Sequence, residues 1–195
     1  MDSNIDVLNA PDIQFQLHSL SEEVAALKKQ VKDQQQENSV NVICFSGEWD
    51  RLFASLTIAG SALAMGMQVH LFFTFWAVSA LRGDGSVKGS EKSFLQTMFG
   101  RMLPSGPGKA PLSKFNFGGL GKCLMRRIMK QNNIEDIDVL FQEVVDLGAQ
   151  IHVCETSSIL FGLGCDELIN GDQIDRCGAA TFLSQALKSR MTLFI

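Results

Sequence analysis

The sequence predicts an α/β fold, with a mainly parallel sheet covered on both faces by helices. Three observations carry that expectation. From Val40 to Ile195, short apolar segments of strand length alternate with segments of helical periodicity. The residues are 46% hydrophobic and 19% charged, which suits a buried core and is too apolar for a disordered chain. The length, 195 residues, is that of one globular domain with room for an appendage.

The appendage is expected over residues 1–39, as a short coiled-coil-like helix followed by a linker. Ile13, Leu17, Leu20, Val24, Leu27 and Val31 alternate at spacings of 4 and 3, as heptad a and d positions do. Ser19-Leu20-Ser21-Glu22 fits a capping box, so the helix is expected to start there rather than at Pro11. Gln34 and Asn38 then occupy the next seam positions and end the series. So short a seam assists an oligomer built elsewhere or packs on the domain.

The α/β domain is expected over residues 40–195. Val40 to Phe45 reads as a strand, Ser46-Gly47-Glu48 as a turn, Trp49 to Met65 as a helix and Gln68 to Phe75 as a second strand. Phe94 to Met102 has an apolar helical face that Pro104 ends, and Ser105 to Gly119 is a Pro- and Gly-rich loop. Helices follow over Leu120 to Lys130 and Asp138 to Leu147, the latter stopped by Gly148. Ala149 to Val153 is a strand, Thr156 to Leu163 a short helix, Gly178 to Ser189 a helix and Met191 to Ile195 a last strand. From Leu52 to Leu81 there is no Asp, Glu, Lys or Arg, a stretch longer than the roughly 20 residues a membrane span needs. Gly66-Met67-Gln68 divides it, so it reads as buried helix, turn and buried strand.

The net charge of −4 excludes a generally basic nucleic-acid binder, but it conceals a segregation. Residues 82–130 hold ten bases and two acids, whereas residues 131–195 hold ten acids and three bases. The basic segment also carries Met98, Met102, Met125 and Met129. Two roles compete for it: docking an acidic partner or an anionic membrane face, and meeting the acidic third of a neighbouring subunit or simply solvating the domain.

Five cysteines stand at 44, 123, 154, 165 and 177, without the spacings of a zinc site. With an acidic-polar start, Met1-Asp2-Ser3-Asn4, they are expected to be thiols in a reducing cytoplasm. Cys154 is the leading candidate. It ends a strand and precedes Glu155-Thr156-Ser157-Ser158, a helix-starting composition, so backbone N–H groups there can stabilise a thiolate. A buried thiol that merely finishes the strand is the competing reading. His152 lies on the same strand face and is a candidate base, against a capped structural histidine. Cys44 ends the first strand and either lines the same crevice or packs in the core. Cys165 lies eleven residues after Cys154 and is a candidate resolving thiol. Cys123, in an apolar and basic helix, is expected to be packed. Gly106-Pro107-Gly108-Lys109-Ala110 lacks the P-loop pattern and Gly118-Gly119-Leu120-Gly121 follows no strand, so nucleotide motifs are not supported.

Several segments together resemble the DsrE/DsrF/DsrH-like family over about Asn41 to Ile195. They are Leu71-Phe72-Phe73-Thr74-Phe75-Trp76, Met98-Phe99-Gly100-Arg101-Met102-Leu103-Pro104 with Leu112-Ser113-Lys114, Gly118-Gly119-Leu120-Gly121, Cys154-x-x-Ser157, and Glu167-Leu168-Ile169-Asn170-Gly171. The nearest branch is the one found alone or fused to rhodanese, TusA-like and CoA-disulfide-reductase modules. The resemblance implies a three-layer α/β/α sandwich on a mainly parallel sheet of about five strands, usually oligomeric. It implies a sulfur carrier or sulfurtransferase-like protein that takes sulfane sulfur as a persulfide on Cys154. The implied partners are a rhodanese or TusA-like donor or acceptor and further copies of the chain, with no metal, no organic cofactor, no nucleic acid and no integral membrane span. Ser157, Thr156, His152, Cys44 and Cys165 are candidate supporting residues for Cys154. No family role extends to Cys165 or Cys177. A non-catalytic oligomeric scaffold, peripheral to a membrane and binding through residues 82–130, is the alternative.

Overall fold

The computed structural model describes residues 10–33, 36–83, 93, 96, 98, 102–164, 167–169 and 171–195. The chain divides into two compact units, Met1–Gln36 and Glu37–Ile195. In the first, α1 (Ala10–Asp33) begins ahead of the expected capping box at Ser19, with Pro11 in its first turn, where a missing N–H is harmless. Its seam residues Ile13, Leu17, Leu20, Val24 and Leu27 are exposed.

In the second unit the elements are β1 (Glu37–Cys44), α2 (Trp49–Ala64), β2 (Gln68–Phe73), α3 (Leu120–Gln131), α4 (Ile137–Asp146), β3 (Gln150–Cys154), α5 (Glu155–Phe161), β4 (Ile174–Cys177), α6 (Ala179–Ala186) and β5 (Ser189–Phe194). A 3-10 turn over Phe75–Leu81 follows β2. The strands form one sheet in the order β4-β3-β2-β1-β5, and every pairing is parallel.

Register sorts the side chains onto two faces. Val40, Val42 and Cys44 of β1, Val69, Leu71 and Phe73 of β2, and Ile151 and Val153 of β3 share a core with Leu52 and Leu56 of α2 and Phe141 and Val144 of α4. Each such side chain contributes about 1.5–3 kcal/mol by leaving water. The opposite face carries His70, Phe72, His152, Cys154 and Cys177, and α6 lies on it through Phe182. Helices on both faces of a parallel sheet make the α/β/α sandwich.

Two expectations change. The expected linker does not extend to residue 39, because β1 begins at Glu37, whose N–H donates to the Lys188 carbonyl at 2.7 Å. The second change is β4, a strand that none of the expected elements covers. It is a short edge strand whose Asp175 and Arg176 mask the apolar signal. The expected helix over Phe94 to Met102 lies largely outside the described residues.

The charge-free stretch resolves into α2, a turn with Gly66 at φ 74°, β2 and the 3-10 turn. Among the described residues no helix is long and apolar enough to cross a membrane. Gly47, in the turn after β1, admits no other residue without a shift: a Cβ there would lie 2.6 Å from the Trp76 carbonyl oxygen.

The basic and acidic thirds meet within the chain. Arg126 of α3 pairs with Asp136, just before α4, at 2.8 Å, and Lys122 donates to the Gly108 and Ala110 carbonyls at 3.1 and 3.0 Å.

Candidate functional site

Because all five strands are parallel, their carboxyl ends share one edge, the edge where open α/β sheets bind ligands. Cys154 is the last residue of β3 and, with φ −65° and ψ 117°, the extended residue that caps α5. Extended geometry before a helix points the first free N–H groups back toward the cap. Burial pushes the Cys154 thiol up, and this is the largest single influence on it. The hydroxyl and N–H of Ser157, the Thr74 hydroxyl and the Thr156 N–H together outweigh burial and hold it below the ordinary cysteine value. Glu155, next in the chain, is exposed and is not among these influences.

The proton inventory is consistent with a thiolate. The Phe75 N–H donates to Ser157 Oγ at 2.9 Å, which fills an acceptor site and leaves the Ser157 proton for the sulfur. Thr74 Oγ1 lies 3.2 Å from Ser157 Oγ and carries its own proton. Phe75 sits at φ 48°, a left-handed conformation that is costly for a bulky residue. Its ring stacks on Phe45 at 5.4 Å and meets Phe161 edge-on at 5.9 Å, contacts that hold the turn against that strain. The thiol is covered by its neighbours, with 7% of Cys154 accessible.

Residues 36–194 match the model of the DsrE/DsrF/DrsH-like family. The chain belongs to this family. It is 35% identical over 161 residues to the uncharacterized protein YrkE of Bacillus subtilis (strain 168), across 83% of this chain and 99% of that one. It is also 23% identical over 164 residues to the sulfur carrier protein DsrE2 of Allochromatium vinosum, across 82% of this chain and 99% of the relative.

Within this DsrE-like domain the fold brings together Cys154, Ser157 and Thr156, and it adds Thr74. Thr74 directly follows β2, the strand beside β3, so its signal was a hydroxyl at the carboxyl end of a neighbouring strand. Cys44 is a correction. It lies on the opposite sheet face, with β2 between its strand and β3, so it does not line the crevice. Burial drives its thiol up to about 12, with a Ser55 hydrogen bond pulling the other way. His152 shares the Cys154 face, but its ring engages His70 at 3.3 Å and Asp175 at 3.3 Å, not the sulfur. The Gln185 amide nitrogen lies 2.7 Å from His70 Nδ1, and burial, then His152, lowers the His70 pKa. This polar row, buried at His70 and His152 and open to solvent at Asp175, links Gln185 of α6 to the sheet. Cys123 is exposed on α3 rather than packed. Cys165 lies outside the described residues.

Cys177 gained no role from the sequence reading. It is the register partner of Cys154 on the adjacent strand, and both thiols pack with Phe72 and Phe182. Burial, then Asp175 and then Cys154 itself push the Cys177 thiol up. Its signal was a cysteine before Gly178-Ala179-Ala180, the same thiol-then-helix order as at Cys154.

Proposed function

We propose that this protein is a sulfur carrier that accepts sulfane sulfur as a persulfide on Cys154 and relays it to a partner protein. The observation that carries the reading is the convergence of two hydroxyls and two backbone N–H groups on one thiol at the carboxyl edge of the sheet. A thiolate stabilised in this way attacks the outer sulfur of a donor persulfide. The donor thiolate leaves, and Cys154 keeps the transferred sulfur as Cys154–S–S⁻. Neither metal nor organic cofactor enters that exchange. The Allochromatium relative is named a sulfur carrier protein, which agrees with this reading.

A rhodanese or TusA-like protein is the partner of matching chemistry, and a reducing compartment such as the cytoplasm keeps the thiols available. The docking face we assign is α3, where Leu120, Leu124, Met125 and Ile128 are exposed beside Phe115 and Phe117. These side chains line a groove of about 430 Å³. Arg127 and Lys130 on the same helix favour an acidic partner surface. We further propose a homo-oligomer that covers the apolar seam of α1.

The test is intact mass after incubation with thiosulfate and a rhodanese, or with a persulfidated TusA-like donor. Wild type should gain about 32 Da per sulfur atom, and Cys154→Ser should not. No gain by wild type from any donor would leave the scaffold role through residues 82–130 as the function.

A further inference from the structure

We infer that Cys177 is a resolving thiol, which displaces the outer sulfur of the Cys154 persulfide as hydrosulfide and closes a Cys154–Cys177 disulfide. The inference rests on the persulfide reading of Cys154 and deepens it.

Geometry carries it. Cys154 and Cys177 are directly opposite each other in the parallel pairing of β3 and β4. Neighbouring strands run about 4.8 Å apart, inside the roughly 4.4–6.8 Å between Cα atoms that a disulfide spans. Direct register also puts both side chains on the same sheet face, where they share a cluster with Phe72 and Phe182. Each cysteine ends its strand, so a small adjustment of either disturbs no further ladder pairing. Gly178 follows Cys177, and nothing lies within 4 Å of where its Cβ would be, which leaves room for that adjustment. The other described cysteines are elsewhere, Cys44 on the opposite face and Cys123 exposed on α3.

The chemistry balances. The Cys177 sulfur attacks the inner sulfur of Cys154–S–S⁻, and the persulfide S–S bond breaks. Its electron pair goes to the terminal sulfur, which takes the Cys177 proton and leaves as HS⁻. The terminal sulfur is reduced by two electrons, and the two cysteines are oxidised by two to the disulfide. An external dithiol then reopens the bond and restores both thiols. Burial and Asp175 keep Cys177 a thiol at rest, so its proton leaves as its sulfur attacks and is the one the terminal sulfur takes. The carrier thus has two exits for its sulfur: an incoming acceptor thiolate takes the outer sulfur, and without one Cys177 releases it as sulfide.

The test loads full-length protein with glutathione persulfide, removes the donor, and follows intact mass, mapped peptides and free sulfide without reductant. Wild type should lose its gain of about 32 Da, release one sulfide per loaded Cys154, and end about 2 Da below the reduced mass with a Cys154–Cys177 peptide link. Cys177→Ser should hold the persulfide on Cys154 and release sulfide at least about tenfold more slowly, because the neighbouring nucleophile is gone. Wild type that keeps its persulfide as long as Cys177→Ser, or that moves the sulfur onto Cys177 without sulfide, overturns the inference and leaves the carrier reading intact. No loading of either protein instead removes the carrier reading on which it rests. Cys177→Ala serves where the serine variant does not fold. A separate measurement needs no variant: diamide should close the same pair, and failure to find that link overturns the inference.

Discussion

Removing the Ser157 hydroxyl tests the thiolate argument directly. In Ser157→Ala, Cys154 keeps the Thr74 hydroxyl and both backbone donors and loses one charge-assisted hydrogen bond. Such a bond is worth about 1.5–3 kcal/mol, and the lower end applies because three donors remain to share the charge. About 1.4 kcal/mol is a tenfold change in the thiolate–thiol equilibrium, toward the thiol. A more basic thiolate is also the better nucleophile, with a Brønsted slope of about 0.4–0.5, which restores roughly threefold. Peptide-mapped alkylation of Cys154 by iodoacetamide should therefore slow about three- to fourfold on the acid limb of its pH profile. The inflection should move to higher pH, and the variant should overtake wild type by about threefold on the alkaline plateau. Mapping is needed because Cys123 is exposed and reacts as well. Coincident profiles for the two proteins would refute the claim that Ser157 holds the thiol down. The variant should also lose about 1–3 kcal/mol of stability, because the Phe75 N–H no longer reaches an acceptor. The pH sense follows from the lowered pKa of Cys154. Its ionisation stabilises the fold above the ordinary thiol value, and the contribution fades as pH falls through the folded-state value.

Deleting residues 1–36 should leave the cooperative melt of the α/β unit in place while light scattering shows a smaller or unchanged oligomer, and loss of the melt would contradict the appendage reading. Binding of a sulfur-relay partner should weaken as salt rises from about 0.05 to 0.5 M, since the contact is assigned to basic α3. Leu124→Asp should reduce it by about tenfold or more if the exposed apolar stripe is the core of the contact. Titration calorimetry reads both, and affinity indifferent to both perturbations would move the docking face elsewhere.

The legible parts of this chain are those where one local signal dominates. β2 was visible because Val69, Leu71 and Phe73 face one core while Phe72 is buried on the other side, so the strand is apolar throughout. Cys154 was visible because strand, thiol and helix start are consecutive in sequence. The misses share a cause in long-range pairing. Glu37-Asn38-Ser39 reads as polar linker and becomes strand because β2 and β5 flank it. Ile174-Asp175-Arg176-Cys177 gives no strand signal by itself, and its strand character comes from β3. The reach of Arg126 to Asp136 joins two segments that charge counting could only set side by side.

Local periodicity and composition, then, determined the α/β class, the order of most elements, the charge segregation and the thiol most worth testing, because each is set within a dozen neighbouring residues. Tertiary structure alone decided the strand order, and with it the placing of Cys44, Cys154 and Cys177. β2 lies between β1 and β3 and brings Thr74 to Cys154, while register turns Cys44 to the opposite face. Cys177, 23 residues beyond Cys154, becomes its neighbour because two parallel strands end level with each other. Strand pairing is a contact between distant segments, and alternation along a single strand cannot specify its partner or its register.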